Sequence, residues 1–165
     1  MRNIPDPGFA GDDGSASPDV VAALATYAGG PEHGHRHALS VLQHSRLLVP
    51  VVAMLGEVEH DEGGLAHDKS SDMATVLMRG KDGRLALLAF TSSDSLHAWN
   101  LDARPVPVGL VQAAQAALQD DAAALVVDVA GPVMFVVEGA DLMALADGQF
   151  LGEVDGGYAW FARAR

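Results

Sequence analysis

The sequence contains no cysteine. That excludes disulfides, thiolate metal sites, iron–sulfur clusters and cysteine nucleophiles together. Aromatic residues are only 5% of the chain, which argues against a platform for stacking bases. Positive charge is scarce: 10 Lys and Arg stand against 22 Asp and Glu, a formal charge of −12. Binders of a phosphate backbone, like proteins of anionic membrane surfaces, need a basic footprint. Neither nucleic acid nor membrane is therefore an expected partner. A long apolar run is missing as well. The longest, Leu47 to Leu55, has Pro50 inside it and falls far short of the roughly 20 residues that span a bilayer. The opening stretch MRNIPDPGFAGDDGSASPD has one basic residue, two early prolines and no apolar centre, so it does not read as a signal peptide. A soluble cytoplasmic protein is the expectation.

What is present reads as one α+β domain. A chain of 165 residues matches a single domain and buries roughly two thirds of its unfolded surface without staples. Residues 1–16, rich in Gly, Asp, Pro and Ser, read as a flexible arm; 17–165 read as the domain. Ser17-Pro18-Asp19 is a helix start, with Val20, Val21, Leu24, Tyr27 and Ala28 at helical spacing and Gly29-Gly30-Pro31 as the stop. A second helical piece is expected over His35 to His44. Arg46 to Met54 has strand length, and Pro50 places it at an edge or a bulge. Residues 56–72 are an acidic, patternless loop. Met73–Arg79 and Arg84–Phe90 read as strands joined through Gly80-Lys81-Asp82-Gly83, an Asp-Gly hairpin signal. Both faces of those strands are apolar, so the sheet is expected to be covered on both sides.

Thr91-x-x-Asp94 then opens a short helix bearing Leu96 and Trp99. Val106-Pro107-Val108 is extended, Gly109–Gln119 is helical with Leu110, Ala114, Ala117 and Leu118 as its buried stripe, and Ala124–Val129 and Val133–Val137 are strands around a Gly131-Pro132 turn. Ala140–Ala146 is a short helix. Gln149–Phe161 adds a last strand or an ordered tail. Hairpins among the crossovers make this α+β: a mixed β-sheet with helices packed on it.

Several residue groups are candidates for chemistry. His33, His35 and His37 alternate, and His60, Asp61, Glu62, His67 and Asp68 share the acidic loop. Imidazole with carboxylate is a ligand set for zinc or another transition metal. A helical site, however, wants His at i and i+4, and neither spacing here matches a metal motif. Solvated surface histidines are the expected reading, with no metal and no cofactor. Glu57, Glu59, Asp61 and Glu62 are close in sequence, but acid–base work needs a desolvated carboxyl, and a polar loop leaves all of them ionised. Thr91, Ser92, Ser93 and Ser95 cluster after a strand with His97 nearby. The nucleophile-elbow pattern G-x-S-x-G is absent, and hydroxyls at a strand-to-helix corner are expected to cap the helix. No Gly-rich phosphate loop of either common pattern occurs. Trp99 is expected in the core. Tyr158, Trp160 and Phe161 must dock on this chain or on another subunit.

From Leu47 to Leu145 the sequence resembles the N-terminal domain of the SseB family, named for an enhanced-serine-sensitivity phenotype. The carrying residues are LLVPVVA at 47–53, the Asp-Gly hairpin, then Phe90, Thr91, Ser92, Leu96 and Trp99 in F-T-S-x-x-x-L-x-x-W. The extended VPV before a helix and LVVDVAGPVMFV at 125–136 complete the order. The family usually carries Asn-Pro after the later strand, where this chain reads Asp128-Val129. The resemblance implies a cytoplasmic bacterial protein and carries over no catalytic residue. A role near serine or sulfur metabolism follows from the family's name alone.

The expected function is a non-catalytic protein-binding or regulatory module, acting through a protein partner or self-association. The alternative is a metal-dependent hydrolase or small-ligand-binding enzyme using the His/Asp loop 57–68.

Overall fold

Ser17 caps the first helix: its hydroxyl accepts the Val20 N–H at 3.3 Å, and Pro18 fills the first helical position. Helix α1 runs Pro18–Gly29 and buries Val20, Ala23 and Leu24, while Val21 points to solvent. Pro31 restarts the chain at once as α2, Pro31–Leu42, four residues before the expected start, because proline's fixed φ and missing N–H suit a first turn. Gly34 lets the two helices touch. A Cβ there would lie 2.4 Å from the Cα of Tyr27. The computed structural model describes residue 9 and residues 11–54 and 72–163.

The strands form three sheets instead of the single sheet expected. The first has order β2-β1-β5, from β1 (Arg46–Met54), β2 (Asp72–Thr75) and β5 (Arg104–Gly109). The second has order β3-β4-β6-β7, from β3 (Leu77–Arg79), β4 (Leu85–Ala89), β6 (Ala124–Val127) and β7 (Phe135–Glu138). Among the described residues an isolated bridge, Leu48 to Phe90, joins the two, and the chain itself crosses between them at Val76. The third sheet is a hairpin of β8 (Phe150–Val154) and β9 (Gly157–Phe161). The second sheet is mixed: β4 and β6 are parallel, and its other pairs are antiparallel.

Two expectations about strands need correction. The run 73–79 is not one strand. It breaks at Val76, so that β2 pairs with β1 while β3 pairs with β4. Pro50 is not on an edge strand either, for β1 is the centre of its sheet. Leu48 turns its N–H and carbonyl to Phe90, at 2.7 and 2.8 Å. Pro50, two residues on, presents its nitrogen to the same side. That side lies between the Phe90 bridge and the ladder with β2, which begins at Val51. The missing N–H therefore falls where no ladder bond is required.

The Asp-Gly hairpin forms as expected, with Leu77 opposite Leu87 and Gly83 at φ 84°. After β4 come α3 (Ser93–Trp99), β5, α4 (Leu110–Gln119) and then β6, a crossover to a parallel neighbour. Helix α5 (Gly139–Ala146) follows β7. Leu87, Ala89, Leu125 and Val127 join Leu39, Leu42, Leu110 and Leu145 in the larger core. Their neighbours Ala86, Leu88, Ala124 and Val126 join Leu48, Phe90 and Leu96 in a smaller core on the other face. Both faces of this sheet are thus buried, and each fully buried Leu contributes about 1.5–3 kcal/mol. The arrangement is a single-domain α+β fold.

Candidate functional site

The corner between β4 and α3 is the most connected polar site among the described residues. Ser92 caps α3: its hydroxyl accepts the Ser95 N–H at 3.0 Å, while the Ser95 hydroxyl accepts the Ser92 N–H at 3.3 Å. The sequence placed the cap one residue early, at Thr91. Thr91 instead turns inward, because it ends the strand on its buried side, and it meets Asp128. The Asp128 carboxylate accepts the Thr91 N–H at 2.9 Å and the Ser95 hydroxyl at 2.8 Å on Oδ1, and the Thr91 hydroxyl at 2.6 Å on Oδ2. Thr91, Ser95 and Asp128 are 6%, 5% and 1% exposed. Asp128 adopts φ 56°, in the left-handed region that Asp and Asn tolerate better than other side chains. Its N–H donates to the Ala89 carbonyl at 3.0 Å. One carboxylate thereby ties the end of β6 to the end of β4 and to the start of α3.

Arg46 lies on the outer side of the same corner. Its Nη1 donates to the Thr91 carbonyl, and its Nη2 to the Ser15 carbonyl at 2.7 Å. Nε and Nη2 also grip the Asp12 carboxylate, at 2.6 and 3.0 Å. These hydrogen bonds, with one from the Gly14 N–H, hold the Asp12 carboxyl below the usual carboxylate range. Asp13 is lowered too, first by the Ser15 hydroxyl. The Gly14 carbonyl accepts the Ser93 N–H at 2.7 Å, so residues 12–15 run across the start of α3. Beside them opens a cleft of about 360 Å³ lined by Phe9, Asp12, Val20, His44, Arg46 and Thr91.

The described histidine side chains do not converge. His35 stacks on Phe135, centroids 4.6 Å apart, and its Nε2 meets the Val136 carbonyl at 2.9 Å. His37 meets the Tyr158 hydroxyl at 3.2 Å. Two positions apart on a helix, they face different ways. Nothing is described of the His33 side chain. His60, His67 and the carboxylates Glu57, Glu59, Asp61, Glu62 and Asp68 lie outside the described residues, as does nearly all of the 56–72 loop. Among the described residues no group of three or more His, Asp and Glu is placed to hold a metal. His97 lies in the last turn of α3.

Trp99 packs, partly buried, against Phe90, centroids 5.7 Å apart. Tyr158 and Trp160 dock on the larger core, and the Trp160 indole N–H donates to Asp141 at 3.3 Å. Phe161 stacks on Phe150 and stays 39% exposed. The sequence marks Asp128 only as a departure from the family pattern and assigns no role to Arg46 or Asp12. The signal for Asp128 was available: an acid directly behind four apolar strand residues must find donors or leave the fold. Arg46 and Asp12 sit in ordinary polar surroundings and carry no such sign.

A hydroxyl-rich strand-to-helix corner locked by a buried aspartate thus sits within a single-domain α+β fold. Residues 20–144 match the SseB protein N-terminal domain, and the chain belongs to that family. No curated protein and no solved structure matches it. The matched segment contains the whole Thr91–Ser95–Asp128 corner. It stops short of the β8–β9 hairpin.

No helix among the described residues is long and apolar enough to cross a membrane.

Proposed function

We propose that this chain is a non-catalytic protein-binding or regulatory module. One observation carries the reading: the buried hydroxyl and carboxylate groups are spent on one another. A nucleophile needs an adjacent base and access to substrate. Asp128 accepts from Thr91 and Ser95 but is 1% exposed, and its oxygens are taken up by three donors from this chain. The group stabilises a corner and leaves nothing directed at a ligand. The cytoplasmic location belongs to the same proposal and rests on the family resemblance.

The test is capture of a partner by the full chain, followed by titration with the purified partner. Saturable binding that survives Ser95→Ala supports the reading. Turnover of an ester, amide or phosphate substrate that is lost in Ser95→Ala would replace it with an enzymatic one.

A further inference from the structure

We propose that the β9 edge is a self-association surface, pairing antiparallel with β9 of a second copy about a two-fold axis at Ala159. The proposal deepens the reading as a binding module by naming its partner.

The backbone of the hairpin shows which groups are free. Leu151 receives Gln43: the side-chain amide donates to the Leu151 carbonyl at 2.6 Å and accepts its N–H at 2.8 Å. Leu151 therefore turns both groups away from its partner Trp160. The ladder alternates, so Trp160 and Tyr158 also turn theirs away from β8, toward the open side of β9. Among the described residues these groups have no hydrogen-bond partner.

Among the described residues the other edges are short, partly covered or interrupted by proline or charge. Pro105 and Pro107 lie opposite Pro50 and Leu48 on β5, at positions whose nitrogens face outward, and proline presents no donor. On β7 the Val136 carbonyl is taken by His35, and on β8 Gln43 takes Leu151 while Glu153 places a charge on the same edge. Strands β2 and β3 have only four and three residues. Strand β9, by contrast, is GYAWF, without proline or charge. Proteins normally blunt such an edge when it is not used.

The register points to a second copy of this chain. Pairing about Ala159 sets Tyr158 opposite Trp160 of the other copy, so the two free residues on each strand supply matched donors and acceptors. The same register sets Gly157 opposite Phe161 and brings the Asp155-Gly156 turn of each copy toward Arg163 of the other, twice by symmetry. Residues 156–162, GGYAWFA, carry no charge, which matters when each copy has a formal charge of −12. A shared edge of five residues is small, so the dimer belongs with weak, transient interfaces.

The full chain is tested by sedimentation equilibrium over a range of micromolar concentrations, with amide exchange at the same concentrations. The expected result is a monomer–dimer equilibrium in which the Tyr158 and Trp160 amides slow as concentration rises, while the Ala159 amide, already bonded to β8, does not. Arg163→Glu should weaken the dimer about five- to tenfold, and adding Asp155→Asn, which keeps the turn, should recover part of the loss. A monomer throughout, or a dimer whose Tyr158 and Trp160 exchange ignores concentration, overturns the proposal. Either outcome leaves capture of a different protein, and so the binding-module reading, standing.

Discussion

At the scale of single residues, Asp128 carries the heaviest duty. Asp128→Ala would strand the Thr91 N–H and the Thr91 hydroxyl, leave the Ser95 hydroxyl only the Ser92 carbonyl at 3.0 Å, and place a Cβ-bearing residue without a polar handle at φ 56°. Each stranded donor costs about 1–3 kcal/mol, so a loss of roughly 3–5 kcal/mol in urea denaturation is expected. Asp128→Asn should cost far less. Its carbonyl replaces Oδ1, the Thr91 hydroxyl rotates to accept from the amide, and Asn tolerates the left-handed backbone. The residue type the family usually carries after this strand thus fits the same geometry. Asp12 supplies a pH-dependent prediction. Its folded carboxyl is held low by Arg46, so its contribution is present above the ordinary aspartate value of about 3.9 and is lost as pH falls through the lower folded value. The urea midpoint of the native chain should exceed that of Asp12→Asn near pH 6, and the difference should vanish in strong acid.

At the scale of elements, Gly34 opposes helix propensity to packing. Alanine is the better helix former by about 1 kcal/mol, yet here its Cβ would meet the Tyr27 backbone. Gly34→Ala should lower stability by about 1–3 kcal/mol, read from thermal unfolding. Elements with local signals were legible in the sequence: the Ser17-Pro18 start of α1, the Gly80–Gly83 hairpin, the Leu110–Ala117 stripe of α4. The pair Asp155-Gly156, with φ of 47° and 78°, is the same hairpin signal, yet the segment was read only as one last strand or an ordered tail. What stayed hidden depends on distant partners. The apolar alternation of 73–79 runs unbroken through Val76, so nothing local says that its halves belong to different sheets. Pro50 argues for an edge until the position of Phe90 is known. Of the site, the sequence placed the hydroxyl cluster at a helix cap but not the carboxylate 33 residues beyond Ser95 that holds it.

At the scale of the molecule, the two tryptophans report on the two cores, Trp99 on the smaller and Trp160 on the larger. Ala86 and Leu87, and likewise Leu125 and Val126, are sequence neighbours that serve opposite faces, so neither core can loosen alone. Leu151→Ala, which opens space beneath the terminal hairpin, should cost about 2–5 kcal/mol. Fluorescence of single-tryptophan variants should give one midpoint for both probes, shifted together. Two separated midpoints would mean that the hairpin and larger core unfold on their own.

The isolated bridge between Leu48 and Phe90 has a mechanical consequence. Among the described residues, the two backbone hydrogen bonds of this bridge, with the chain crossing at Val76 and its carbonyl accepting the Leu88 N–H at 3.3 Å, join the β1 sheet to the β4 sheet, while each sheet is internally laced by whole ladders. Under load the sheets behave as stiff plates meeting at a narrow seam, and bending concentrates there. Arg46 is rooted two residues from that seam, and Thr91, whose carbonyl it holds, is one residue beyond it. The clamp on the outside of the corner and the aspartate on its inside therefore brace this junction from both sides.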